Sequence, residues 1–475
     1  MASNTSTFLD VGVIYVIYPK DGTDGVQTSL IEKKLRALSD PPNIYISQTK
    51  TVGINFWFVT LSHGSADILA VELAHEVASI YPQTPKDIYN PRYSTFDPTT
   101  GITYKESQDH TSTVADHLMY VCQQPGKSLR EYHGRYYFDD ADPVPGRGIP
   151  VYVVDTGATL DHKEFDDVRD NVEWIHVGQD VGGGNAEDDS ATDPTQQFIT
   201  AKAHGTSMLS LVTGANVGVS KGVKPYLVRV PRRHIPTGTV RDRSRHATNE
   251  DWLEGISKVN DHLAGRKNDT KAIILLAFHI PRESFMRDGK DRSLGFDARL
   301  RFLLKDLVDK GVLPITGTGN NMNQASTIDG FPANYGRSDY NPITEVLVVR
   351  SVHSTSFALA NQTDFDRGLP HIFAPGYGIK CAEGNRGAWG LFHDPKDDTY
   401  KRAHGSSCAA AITAGLADYF LRLSQVGRLN IVNNPMGLKN YILSDDLKWS
   451  RKLHQDGRAL PGIWNGVKLP DSHFH

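Results

Sequence analysis

Five apolar runs beyond Gly148 constrain this chain more than any other feature: PVYVVD at 150–155, YLVRV at 226–230, KAIILLAF at 271–278, GVLPITG at 311–317 and EVLVVRSV at 345–352. They are continuous and rich in β-branched residues rather than alternating. That is the pattern of parallel strands covered on both faces. Helical periodicity near 251–263 and 296–310 separates some of them. The alternation predicts an α/β fold with a mainly parallel, doubly wound sheet, whose active residues sit on loops past the carboxyl ends of the strands.

Residues 11–83 read differently. VGVIYVIY is followed by a helix carrying Leu30, Ile31, Leu35 and Leu38, then NIYIS and the alternating INFWFVTL. A helix capped by Ser65 and running to Ser79 follows, with a last short strand at the end. This predicts a small α+β (βαββαβ, ferredoxin-like) domain able to fold alone. Residues 84–148 are rich in Pro, Tyr, Thr and Asp, with little periodicity apart from DHLMYVC. They read as a linker and lead-in. The expected division is 1–92, 93–147 and 148–475.

With 51 Lys plus Arg against 55 Asp plus Glu, the formal charge is −4, so no global field recruits nucleic acid or an anionic membrane. No apolar run reaches membrane-spanning length. Lys20 is the first basic residue, and no signal peptide is evident in residues 1–30. Cys122, Cys381 and Cys408 allow at most one bridge, have no metal-ligand spacing and read as packing residues. Sequons at Asn4, Asn268 and Asn361 matter only if the chain enters the secretory pathway.

Four stretches carry chemistry. Asp155 in VYVVDTG ends a buried strand, where a carboxylate either satisfies a turn or orients a histidine. His204 in AHGTSMLSLVTG opens a helical pattern, a place for a capped surface residue or a catalytic base. GVLPITGTGNN runs a strand into Gly317, Gly319 and Asn320, a plain Gly-Asn turn or a close backbone approach with an amide donor for an oxyanion. HGSSCAAAITAGLADYFLRL places Ser407 at the start of a helix with apolar Ala409, Ile412, Leu416, Phe420 and Leu423. The serine either caps that helix or uses its free N–H groups and positive dipole end for attack on a carbonyl.

In the order Asp, His, Asn, Ser, these pieces resemble the subtilisin-like serine proteases, or subtilases. The matching stretches are DTG at Asp155, HGT at His204, GVxP at Gly222 to Pro225, GTGN ending in Asn320, FPA at Phe331, FAPG at Phe373 and GSS ending in Ser407. The resemblance implies a serine endopeptidase acting on proteins or peptides. Asp155 would orient His204, His204 would take the proton of Ser407, and Asn320 with the Ser407 N–H would hold the oxyanion. Ser407 is chosen over Ser406 because the family pattern is Gly-Thr-Ser and Ser406 falls at the threonine. The N-terminal domain would be an inhibitory propeptide, cleaved as the zymogen matures. No metal is required for the chemistry. Calcium often stabilises family members, but no calcium loop maps onto these residues. Gly317, Gly319 and His279 would border the substrate.

The sequence also departs from the family. Ser207 stands where a second histidine is usual, and AAAI follows Ser407 where a proline is usual. In LLAFHIP, His279 lies at or near a family glycine whose bare backbone lines the pocket for the side chain N-terminal to the cut. A bulky residue there would narrow, reshape or partly block the pocket, or simply be tolerated as a wall residue. Loop 231–250 carries Arg232, Arg233, Arg241, Arg243 and Arg245, which read as a solvated face or a contact for acidic substrates, and loop 182–189 is an insertion with no assigned role. These departures motivate an alternative, a catalytically inactive or repurposed peptide-binding protein of the same fold. An α/β-hydrolase is excluded, because GSS lacks the G-x-S-x-G elbow and the order of acid, base and nucleophile is wrong. On location the resemblance implies secretion; an incomplete N-terminus or an intracellular processing role would each explain why no signal is evident in residues 1–30.

Overall fold

Period-2 burial builds the first sheet. In a computed structural model the chain divides into two units, Met1–Asn90 and Pro91–His475. The structure describes residues 13–20, 25–38, 44–49, 53–61, 63–82, 94–97, 102–105, 114–139, 148–160, 162–177, 204–230, 233–234, 245–247, 249–264, 271–287, 290–291, 293–320, 328–353, 368–383, 400–452 and 459–474. The smaller unit runs β1 (Val13–Pro19), α1 (Gly25–Leu38), β2 (Ile44–Thr49), β3 (Gly53–Leu61), α2 (His63–Glu72) and β4 (Val77–Pro82). Its sheet has the order β2-β3-β1-β4, all antiparallel. Trp57, Val59 and Leu61, two residues apart on β3, turn inward to meet Ile31 and Leu35 of α1 and Leu69 of α2. The second helix ends at Glu72, earlier than the expected Ser79. Val77–Pro82 instead pairs with β1, as its β-branched and aromatic residues favour.

The larger unit begins with a three-stranded antiparallel sheet, β5 (Ser94–Asp97), β6 (Ile102–Lys105) and β7 (Tyr136–Phe138). Between β6 and β7 lies α3 (Asp116–Cys122), buried from His117 to Cys122. This stretch reads as a lead-in by composition, yet Leu118, Tyr132, Tyr136 and Tyr137 are fully buried in the main core. Tyrosine gives a polar-looking sequence while burying large rings.

The main sheet then takes β8 (Pro150–Asp155), β9 (Glu173–His176), β10 (Lys224–Arg229), β13 (Ala272–Leu276), β16 (Val312–Gly317), β17 (Leu347–His353), β18 (Ile372–Ala382), β19 (Tyr400–His404), β20 (Trp449–Lys452) and β21 (Ala459–Gly462). The intervening numbers are two-residue ladders, β11 (Arg233–His234) with β12 (Arg245–His246), and β14 (Met286–Arg287) with β15 (Lys290–Asp291). The order is β20-β21-β18-β17-β16-β13-β8-β10-β9, with β19 beside β18, and pairs from β9 through β18 are parallel. All five apolar runs are therefore neighbours at the sheet's centre. Helices α4 (His204–Thr213), α5 (Asn249–Ala264), α6 (Leu294–Asp309), α7 (Ser406–Gln425) and α8 (Pro435–Ile442) cover it. Two separate cores result: α4 and α7 share one with Val151, Val153 and Leu275, while α5 and α6 share the other with Tyr152, Val154 and Ile274. That is the α/β, subtilisin-like arrangement expected, with alternate residues of each strand feeding opposite faces.

Among the described residues, no helix is long and apolar enough to cross a membrane. Residues 182–189, Arg232, Arg241, Arg243 and the sequons at Asn4, Asn268 and Asn361 lie outside the described residues, as do residues 1–12 and 83–93.

Candidate active site

Parallel register aligns the strand ends. Leu276 of β13 faces Val154 of β8 and Thr316 of β16, so Asp155, Ala277 and Gly317 leave the sheet side by side along its carboxyl edge. Asp155 is 2% exposed, and its Oδ1 accepts from the Thr156 N–H at 2.8 Å and hydroxyl at 3.2 Å. Opposite it, α4 starts at His204, whose Nδ1 lies 2.9 Å from Oδ1 and 2.8 Å from Oδ2 of Asp155. Because a carboxylate only accepts, Nδ1 carries the proton and Nε2 keeps its lone pair. The His204 side chain remains 38% exposed. Gly205 makes this approach feasible, since a Cβ on it would fall 1.9 Å from the Gly157 carbonyl oxygen.

Helix α7 begins at Ser406 after Gly405, which has φ 145° and whose missing Cβ would fall 2.9 Å from Asn320 Nδ2. The two serines differ. Ser406 is buried: its Oγ accepts from the Gly319 N–H at 3.1 Å and lies 3.2 Å from the Gly319 carbonyl and 3.3 Å from Asn320 Oδ1. Its own N–H donates to Asn320 Oδ1 at 2.9 Å. With its oxygen thus engaged, Asn320 has its amide NH2 left for another partner. Ser407 is half-buried and borders a cleft of about 340 Å³ together with His204, Asn320, Gly317, Gly319 and His279.

Six of the seven site residues named from sequence therefore line one cleft, and Asp155 stands behind His204. Gly317 is the least open of them, as Ser406 Oγ lies 2.5 Å from where its Cβ would be. Sequence reasoning passed over Ser406 as a clamp on Asn320, and over Phe278, another wall residue, which stacks on Trp252 of α5 with ring centroids 4.3 Å apart. Cys408, beside Ser407, is a free, buried thiol pushed upward by desolvation and is no rival nucleophile.

Comparison with known proteins gives this geometry a context. The sequence model of the Subtilase family, peptidase family S8, matches residues 146–423, more than half of the chain. The chain belongs to the subtilase family. A cuticle-degrading serine protease of Orbilia oligospora is 23% identical over 76% of this chain and 68% of its own length. Subtilisin-like protease 3 of Pseudogymnoascus destructans is 26% identical over 60% of this chain and 55% of its own. The subtilase-type proteinase psp3 of Schizosaccharomyces pombe is 24% identical over 66% and 54%. The subtilase thus spans about half to two thirds of the length of these relatives.

Proposed function

We propose that this subtilase hydrolyses peptide bonds by acyl transfer through Asp155, His204 and Ser407. The observation that carries the reading is the contact of His204 Nδ1 with both Asp155 oxygens, which turns Nε2 into a base in the same cleft as Ser407. Nε2 takes the Ser407 proton as Oγ bonds to the scissile carbonyl carbon. The same proton then passes to the leaving amine, the acyl-enzyme forms, and water releases it by the reverse sequence. The free amide NH2 of Asn320 and the N–H of Ser407 hold the oxyanion, a role worth typically about 2.7–4 kcal/mol per donor. None of these steps needs a metal ion.

The N-terminal unit acts as a propeptide in this reading, removed when the zymogen cuts itself. Its element order and its being a compact unit by itself support this. A fluorophosphonate probe tests both parts. Wild type takes the label and loses its N-terminal unit, whereas Ser407→Ala takes none and keeps the full chain. Label that persists in Ser407→Ala, or a wild type that forms no acyl-enzyme, would sink the proposal.

A further inference from the structure

One wall of the cleft is the segment leaving β13, with Ala277, Phe278, His279 and Pro281. The imidazole of His279 does not point into open space. It lies between two glycines on other segments: a Cβ on Gly330 would fall 1.8 Å from its Cε1 and 2.4 Å from its Nε2, and one on Gly319 would fall 2.8 Å from its Nδ1. Real carbons cannot approach so closely, so the ring occupies a recess that exists only because both facing residues lack side chains. Desolvation pulls this imidazole below its ordinary range, against the fields of Asp329 and Glu283. Its Nδ1 is buried with no hydrogen-bond partner among the described residues. A histidine that served the fold by hydrogen bonding would use that nitrogen; what the ring does here is fill the recess.

The recess adjoins Gly319, Asn320 and Ser407. A carbonyl with its oxygen at the Asn320 amide and its carbon at Ser407 Oγ has its own Cα one bond away. The side chain entering the recess is therefore that of the residue contributing the scissile carbonyl. We propose that His279 is a specificity-determining residue that plugs this recess and restricts cleavage to bonds following Gly, Ala or Ser. The inference rests on the acyl-transfer reading above.

The test compares the full-length wild type with His279→Gly on fluorogenic tetrapeptides that vary only in the residue before the scissile bond, including Ala, Ser, Leu, Phe and Glu. In wild type, kcat/KM after Ala exceeds that after Phe by about a hundredfold, within the range that misplaced side-chain volume produces in a pocket. In His279→Gly the Phe-to-Ala ratio rises by about tenfold or more. Wild type that cuts after Leu, Phe or Glu as fast as after Ala overturns the proposal even if the variant does not fold. So does a folded variant with an unchanged ranking. Fluorophosphonate labelling, run beside it, separates the two failures: label with the wrong ranking defeats only the role of His279, and absence of label defeats the acyl-transfer reading.

Discussion

The two ends of α4 treat polar groups in opposite ways. At its start His204 is partly exposed, holds one carboxylate through Nδ1 and borders the cleft. At its finish, the carbonyls of Gly214, Ala215 and Gly218 accept from the Lys221 ammonium at 2.6, 3.1 and 2.9 Å, and Lys105 reaches the same Ala215 carbonyl. Glu164, fully buried, accepts from the N–H groups of Asn216 and Val217 at 2.8 and 3.0 Å and from the Tyr400 hydroxyl at 2.5 Å. Burial pushes its carboxyl upward, but Lys105 and these donors outweigh that and hold it below the usual range. The carbonyls of the turn that follows the helix are thus held by two lysine side chains, and the nearby carboxylate by its own donors. One end presents a histidine to the cleft; the other uses these lysines and a buried carboxylate to hold the loop.

The largest expected effect breaks chemistry without breaking structure. Asp155→Asn preserves shape and the bond from Thr156, but the amide no longer forces the proton onto Nδ1. Loss of this tautomer control lowers kcat by about 10,000-fold in a serine protease of another fold. The same order is expected here, with the midpoint of urea unfolding nearly unchanged in a Ser407→Ala background that prevents self-digestion. A large fall in that midpoint would mean that Asp155 supports the fold as Glu164 does, and the contrast between the helix's ends would collapse.

The second effect belongs to the buried end and is read by pH. His117 donates through its Nε2–H to the Val217 carbonyl at 2.8 Å, and burial pulls it from its ordinary 6.5 to about 4. Between those values the unfolded chain binds a proton that the folded chain refuses. Stability is complete above pH 6.5 and falls as pH drops toward 4, by up to about 3 kcal/mol at about 1.4 kcal/mol per pKa unit. Urea unfolding of the Ser407→Ala protein, with and without His117→Gln, isolates this slope. Identical pH profiles for the two proteins would show that His117 carries none of it.

What the sequence revealed follows from how local each cause is. β8, β13 and β16 were legible because continuous apolar runs encode two covered faces, and Asp155 and Asn320 stood at their ends. The Glu164 cluster was not legible, because Lys105 meets Ala215 across 110 positions and Tyr400 meets Glu164 across 236. No window contains such a pair. The burial of the lead-in was hidden for another reason: DHLMYVC was visible, but tyrosines at 132, 136 and 137 disguised buried rings as polar sequence. For His279 the clue was a bulky residue near a family glycine. Its consequence needed Gly330, 51 residues on, which packs against it.

The smallest effect sharpens the contrast within a single dipeptide. Ser406 resembles the buried end of α4, with its hydroxyl against Gly319 and Asn320, while Ser407 resembles the partly exposed end. Ser406→Ala removes hydrogen bonds that steady Asn320 but leaves the backbone donor from Ser406 N–H to Asn320 Oδ1 intact. One net hydrogen bond of this kind is worth about 1 kcal/mol, so kcat should fall only about five- to tenfold, with fluorophosphonate labelling complete on longer incubation. Peptide mapping of the labelled protein then finds the phosphonate on Ser407. Were Ser406→Ala to abolish labelling while Ser407→Ala retained it, the buried hydroxyl would be the nucleophile, and partial exposure would no longer distinguish the reactive group from its support.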